Sequence, residues 1–190
     1  VEQALIRTLA ERYPSKDPAE VTPETTVTWN DRYADRLSEA WRAHEHDPDV
    51  AALFAEALMN RTPWQLWDVR SGKPADGAST LEALNVLEAA LARPGGMSHP
   101  GLLHFYIHLM EMSAMPQRAL RAADALRNLV PDAGHLVHMG THIDVLCGRY
   151  SNVVESNDRA IDADAKYLAR HGAANFYSLY RCHNYHFKLY

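Results

Sequence analysis

Apolar residues recur every three or four positions through most of this chain, which is the spacing of one buried face of an α-helix. Runs of alternating β-branched residues, which would indicate strands, are confined to the short segment "TPETTVTW". The pattern therefore predicts an all-α fold. The predicted helices cover residues 2–13, 32–46, 49–61, 80–93, 99–113, 116–129, 134–147, 151–169 and 174–190.

Two segments rich in Pro, Thr, Gly and Asp, residues 14–31 and 62–79, interrupt the helical pattern. We predict that both segments are irregular inserts between helices. The second contains Trp64 and Trp67, whose large apolar rings are expected to pack this insert down against the rest of the protein.

The predicted helices also recur as pairs. The segment "SAMPQRALRAADALRNLVPDAGH" aligns with "CGRYSNVVESNDRAIDADAKYL" at an offset of thirty-four residues. This period, the turn at Gly148 and the closing Pro131 resemble the tetratricopeptide repeat, a stacked helix-turn-helix unit. The resemblance implies a single helical-repeat domain over residues 1–190, stacked into a curved solenoid. Its clearest repeats are residues 100–133 and 134–167.

Composition and charge narrow the class of protein. Of the 190 residues, 47% are apolar and 23% are charged, which is typical of a globular chain. A formal net charge of −5 without a basic stripe argues against a nucleic-acid partner. The apolar runs are far shorter than the ~20 residues that a membrane span needs. Because Val1 is not methionine and both ends fall within helical patterns, we expect a fragment of a longer chain.

The most informative residues are histidines, of which the chain has eleven. When the two repeats are aligned at the thirty-four-residue offset, His104 aligns with His138 and His108 with His142. Equivalent helices of the two repeats therefore carry the same pair of histidines. A spacing of four residues puts both members of a pair on one helix face, one turn apart. Imidazole is a ligand for zinc, copper and iron, so two such pairs on neighbouring helices predict a transition-metal site.

Further donors fall on the same predicted face, which by the resemblance would line the concave groove of the solenoid. Glu111 follows His104 by seven residues, and His135 precedes His138 by three. The predicted metal ligands are His104, His108, His138, His142, His183 and His186. The predicted catalytic residues are Glu111, as a general base or fifth ligand, and His135, as a proton carrier or further ligand. Additional predicted partners are Glu56, Asn60, Tyr106, Tyr185 and Tyr190.

Four longer strings within residues 49–190 resemble a family of large tetratricopeptide-repeat proteins of bacteria and fungi: "AALFAEALMNRTPWQLWD", "HPGLLHFYIHLMEMS", "PQRALRAADALRNLVPDAGHLVHMGTHI" and "YRCHNYHF". Members typically carry "HMPSHI" where this chain has Gly140 and Thr141. Asp144 and Asn157 also depart from the pattern, because the repeat prefers aromatic residues at these positions. The resemblance implies the helical-repeat fold and no particular reaction.

Three interpretations of the histidines follow. The first is a metalloenzyme, either a redox enzyme with copper or iron or a hydrolase with zinc. The second is a non-catalytic scaffold whose groove binds a protein, a peptide or a small molecule, and the third is a metal storage or delivery protein. Peptide grooves that grip carboxylates favour Lys, Arg and Asn, whereas these groove positions hold His and Glu, which favours a metal site.

Overall fold

Helices account for most of residues 1–189, which are the residues that this computed structural model describes, and the predicted all-α class is confirmed. The chain divides into two compact units, Val1–Gly96 and the part from Met97 onward. None of the described helices is both long enough and apolar enough to cross a membrane. The tetratricopeptide solenoid over residues 1–190 stays a prediction.

The first unit packs its helices in sequential pairs, α1 on α2, α2 on α3 and α3 on α4. These helices are α1 (Glu2–Arg12), α2 (Pro23–Ala43), α3 (Pro48–Met59) and α4 (Thr80–Leu91). Their shared core includes Leu37, Phe54, Leu58 and Leu87, each at most 2% exposed. An ion pair between Arg12 and Glu56, at 3.1 Å, links α1 to α3.

Helix α2 begins earlier than the sequence pattern predicted. Residues 23–31 belong to this helix, so the predictions of an irregular segment through residue 31 and of a helix starting at residue 32 are wrong there. Thr22 and Thr25 form a reciprocal capping box, and Pro23 occupies the first helical position, where its missing N–H costs nothing. The β-branched residues that suggested a strand are tolerated because Val27 is 57% exposed and the opposite face is buried farther along.

The insert at residues 62–79 is irregular except for one short antiparallel ladder. Strand β1 (Trp67–Asp68) pairs with β2 (Lys73–Pro74). The buried Thr80 hydroxyl donates a hydrogen bond to the Leu66 carbonyl and ties the insert to the start of α4. Trp64 is 70% exposed, so the expectation that both tryptophans pack down is wrong for this residue. It also has a positive φ of 62°, which is uncommon for a residue other than glycine.

The second unit contains six α-helices within the described residues. Its helices are α5 (Pro100–Met110), α6 (Leu120–Leu126), α7 (Gly134–His138), α8 (Gly140–Leu146), α9 (Tyr150–His171) and α10 (Ser178–Lys188). Helix α5 packs on α6 and α8, whereas α9 packs on α7, α8 and α10. The buried side chains between them include Leu103, Ile107, Leu126, Met139 and Ile143.

The predicted helix at residues 134–147 is divided at Met139 into α7 and α8. Gly140 lies against α6, where an added Cβ would be only 3.1 Å from the Ala123 carbonyl oxygen. Beside it, the fully buried Asp144 accepts a hydrogen bond of 2.8 Å from Arg127 of α6. The guanidinium of Arg127 therefore compensates the buried charge of Asp144.

Candidate metal centre

Helix α5 presents its histidines on the side opposite its buried face. Leu103, Ile107 and Met110 are at most 1% exposed and anchor the helix in the core. His104 and His108 stand one turn apart on the other side, with ring centroids 4.7 Å apart. The start of α5 is fixed by His99, whose side chain accepts a hydrogen bond from the Leu102 N–H at 3.1 Å.

Six histidines of the second unit converge, and we refer to them as the histidine cluster: His104, His108, His135, His138, His142 and His183. They form two triads. In the first, His104, His108 and His135 each offer a nitrogen, and the three ligand atoms lie within 4.8 Å of one another. The Nε2 atoms of His104 and His135 are 3.1 Å apart.

The second triad consists of His138, His142 and His183, again with three ligand atoms within 4.8 Å of one another. The Nε2 atoms of His138 and His142 are 3.0 Å apart. His183 comes from α10, and its ring centroid lies 4.7 Å from that of His138. The triads are neighbours, because the ring centroids of His108 and His142 are 5.6 Å apart.

Glu111 lies between the two triads at the C-terminal end of α5. Its Oε1 atom is 2.9 Å from Nδ1 of His108 in the first triad. Its Oε2 atom contacts Nδ1 of His142 in the second triad. Only 12% of the Glu111 side chain is exposed, so both carboxylate oxygens are used inside the protein. Glu111 is thus the one side chain that links the two triads through hydrogen bonds among the described contacts.

Asn157 of α9 fixes the tautomer of His138. The Asn157 amide NH₂ donates to the Val153 carbonyl at 2.8 Å, which turns the amide oxygen toward His138. That oxygen is 2.7 Å from Nδ1 of His138, so Nδ1 carries the hydrogen and Nε2 of the neutral ring has a lone pair. The sequence pattern had marked Asn157 only as a departure from the aromatic residue of the repeat.

The donor set fits a transition-metal ion. Because Glu111 accepts the Nδ1 hydrogen of His142, the neutral His142 ring also has its lone pair on Nε2. With both rings neutral, two lone pairs face each other at 3.0 Å, an arrangement that is stable only when a metal ion or a proton lies between them. Two nitrogens bound to one zinc ion at ~2.0–2.1 Å with tetrahedral angles would lie ~3.3 Å apart, close to this separation. In the first triad, His135 Nδ1 is buried with no hydrogen-bond partner among the described residues.

A buried polar network holds α10, and with it His183, in place. Asp164 of α9 accepts hydrogen bonds from the Tyr177 hydroxyl at 2.7 Å and from the Asn184 amide at 2.8 Å. Asn184 is fully buried and directly follows His183. The same carboxylate packs on Gly134, where an added Cβ would lie 2.0 Å from Asp164 Oδ1. Sequence reasoning missed these residues, because it selected histidines and acidic residues that share a helix face, and none of these residues belongs to such a pair.

Aromatic rings surround the histidine cluster. Phe187 packs against His138, His142 and His183, with ring centroids 4.6–5.0 Å apart. Tyr180 meets His135 edge-on at 4.9 Å, and Phe105 lies 4.9 Å from His104. These rings limit the rotation of the imidazoles and reduce their contact with water.

The surroundings favour the neutral form of four of the imidazoles and the charged form of Glu111. Burial, followed by repulsion from neighbouring imidazolium charge, lowers the pKa of His138 to about 2, of His104 to about 3 and of His135 to about 4. Burial also lowers the pKa of His183. For Glu111, burial alone would raise the pKa, but hydrogen bonds from two histidines outweigh it and hold the pKa at about 2. Neutral imidazole is the form that binds metal ions.

The remaining predicted residues lie elsewhere. His186 is exposed and belongs to neither triad. In the first unit, the Glu56 carboxylate accepts hydrogen bonds from Arg12 and from Asn60. Tyr106 is 6% exposed, within the core of the second unit. Tyr185 is 54% exposed, and Tyr190 lies outside the described residues.

No family model matches this chain, and neither the curated proteins nor the solved structures with which it was compared contain a match. The interpretation of the histidine cluster is therefore based on the chain's own residues.

Proposed function

We propose that this protein is a metalloenzyme whose histidine cluster binds copper and carries out redox chemistry. The observation that supports the proposal most directly is the pair of three-histidine groups, each with its nitrogens within 4.8 Å of one another. A donor set made only of imidazole suits copper, zinc and iron, but mononuclear non-haem iron enzymes use a facial carboxylate beside two histidines.

The charge of the site also favours copper. Six imidazoles are neutral when they bind metal ions, so with the Glu111 carboxylate they carry a formal charge of −1. Two cuprous ions would leave +1 in a largely buried site, whereas two zinc ions would leave +3. Uncompensated charge is costly to bury, so the monovalent ion fits better. Bound copper would supply one-electron redox chemistry, while the protein holds the ligands and excludes water.

A zinc hydrolase is the second candidate, and one observation favours it. Each triad offers three histidine ligands, the donor set of catalytic zinc sites that keep a fourth position for water. In that case an anion such as hydroxide would offset part of the excess positive charge. Glu111, a predicted catalytic residue, would then lie beside the ions as a base, and His135, the other one, would be a ligand of the first triad.

We also propose that the second unit contains two tetratricopeptide-like repeats of a curved solenoid. The support is the thirty-four-residue offset, together with the packing of α5 on α6 and of α7 and α8 on α9. An experimentally determined structure with equivalent crossing of these two helix pairs would support the proposal. Unrelated crossings would contradict it.

Elemental analysis of the purified protein, before and after incubation with Cu(I), Cu(II) or Zn(II), tests the proposal. We expect copper uptake that a chelator reverses, and a Cu(II) electron paramagnetic resonance spectrum with nitrogen ligands. The double variant His108→Ala/His142→Ala should lose uptake, because it removes one ligand from each triad. The variant His46→Ala changes an exposed histidine of the first unit and should bind as the wild type does.

The possible outcomes separate the interpretations. Dioxygen consumption by the copper form with added reductants supports a redox enzyme, and ester hydrolysis by the zinc form alone supports a hydrolase. Tight copper binding without turnover supports storage or delivery instead. A protein that takes up no metal overturns the proposal. A binding partner that is retained in chelator but lost on mutation of the cluster would then support the scaffold interpretation.

A further inference from the structure

We propose that the two triads form one dinuclear centre, in which Glu111 is a positioning residue that orients one ligand of each ion. This inference rests on the proposed metal binding and adds the number of ions and the role of the carboxylate. It replaces the predicted roles of Glu111 as a general base or a fifth ligand.

The first step concerns which atoms Glu111 touches. Each of its two carboxylate oxygens is used once, Oε1 on His108 and Oε2 on His142. Both contacts are made to Nδ1, although His108 and His142 belong to different helices and different triads. Both oxygens therefore already accept a histidine N–H, and in this structure Glu111 is the hydrogen-bond partner of one ligand in each triad.

The second step concerns tautomers. A carboxylate only accepts hydrogen bonds, so Nδ1 of His108 and Nδ1 of His142 must both carry hydrogen. Each neutral ring is then left with its lone pair on Nε2, and in His142 this atom faces the second triad at 3.0 Å from Nε2 of His138. Histidine ligands commonly donate their second ring N–H to a carboxylate, which fixes the ring and strengthens it as a donor.

The third step couples the two triads. Because one carboxylate holds a ligand of each triad, placing the His108 ring also places the oxygen that orients His142. The single negative charge of Glu111 also attracts both ions and reduces the repulsion between them. Two ions that share this residue behave as one unit, and a defect at Glu111 affects both.

The substitution Glu111→Gln tests this arrangement sharply. A glutamine amide has one oxygen that accepts and one NH₂ group that only donates, so it can satisfy the Nδ1 hydrogen of one histidine at most. The other histidine must move its hydrogen to Nε2, which removes the lone pair that would bind the ion. In zinc titrations followed by elemental analysis, we expect two ions per wild-type chain and one tightly bound ion in the variant. The second ion should bind about 10–100-fold more weakly.

The variant Glu155→Gln makes the same change of charge at an exposed position of α9 and should retain two ions. Nitrogen-15 resonance of the imidazoles gives a readout that needs no variant. In the metal-free wild type, we expect the Nδ1–H tautomer at both His108 and His142, and in Glu111→Gln we expect one of the two to be reversed.

Each result decides a different point. A glutamine variant that binds two ions with wild-type affinity overturns the positioning role, and so does an Nε2–H tautomer at both histidines of the wild type. If the wild type binds one ion only, the dinuclear centre is wrong while metal binding stands. If the wild type binds none, the proposed function itself fails.

Discussion

His138 shows how much of the chemistry of this site is set by a single buried neighbour. The imidazole is fully buried, and Asn157 accepts its Nδ1 hydrogen at 2.7 Å. The Thr141 hydroxyl lies farther from the same nitrogen, at 3.3 Å, and can either donate or accept there. The amide oxygen only accepts, so Asn157 decides which atom of His138 is a metal donor.

We expect Asn157→Ala to weaken metal binding at the second triad about 10–100-fold, because it removes the partner that orients a ligand. The metal-free protein should also lose about 0.5–1.5 kcal/mol of unfolding free energy, since the 2.7 Å hydrogen bond is removed and only the 3.3 Å contact with Thr141 remains at Nδ1. Competition with a chromophoric chelator measures the affinity, and urea unfolding measures the stability. Asn152→Ala, at a half-buried position of the same helix, is the control and should change neither quantity comparably.

For individual residues, the sequence predicted the histidines of the cluster better than the residues that hydrogen-bond to them. Spacing along one helix is a local property, so the positions four residues apart and the thirty-four-residue offset sufficed to select His104, His108, His138 and His142. His138 and Asn157 are nineteen positions apart on different helices, so their contact depends on how α7 packs on α9. A buried polar residue in place of an expected aromatic one was the available signal.

Helix α10 supplies His183, Tyr180 and Phe187, so the second triad depends on how firmly this helix is held. Asp164 bonds to Tyr177 just before α10 and to Asn184 within it. The Asp158 to Lys188 ion pair also links α9 to α10, but both side chains are more than a third exposed. Exposed pairs contribute little, so the buried carboxylate dominates the attachment.

We expect Asp164→Ala to release α10 and to lower zinc binding from two ions per chain to one, since only the second triad includes a residue of this helix. Hydrogen exchange of residues 172–188 should become faster at the same time. Asp158→Ala removes the exposed pair and should leave both the stoichiometry and the exchange rates nearly unchanged. Equal effects of the two substitutions would contradict the role given to Asp164.

Element boundaries show where sequence patterns were insufficient. The threonines at positions 22–28 suggested an irregular or extended segment, but a capping box and a proline start α2 among them. The break between α7 and α8 has no local signal beyond Gly140, because it depends on the approach of α6 to that glycine. Both features require knowledge of a packing partner.

For the whole molecule, the histidine cluster makes stability depend on pH. His104, His135 and His138 have folded-state pKa values of about 2–4, below the ordinary value of about 6.5 in the unfolded chain. Below pH ~6.5 the unfolded chain binds more protons than the folded one, so unfolding becomes easier as the pH falls. Glu111 acts in the same direction, because its stabilising contribution is lost as the pH falls from ~4.5 toward 2.

We expect the metal-free protein to have nearly constant stability from pH 8 to 7, as far as these groups determine it, and to lose stability steeply below pH ~6. Each of the three histidines contributes up to about 1.4 kcal/mol per pH unit in that range. Urea unfolding in chelator at several pH values measures the slope. In His104→Leu, one contributing group is removed and the slope should fall by up to about 1.4 kcal/mol per pH unit, whereas an unchanged slope would contradict the assignment.

The close approach of Gly134 to Asp164 affects how related sequences with a complete metal site should be recognised. Any side chain at position 134 would meet the Asp164 carboxylate, displace it, and so disturb the hold on α10. A chain could therefore retain all six histidines and still be unable to load its second ion. A search pattern built on histidines alone would admit such inactive chains, whereas one that also requires Gly134 and Asp164 would exclude them.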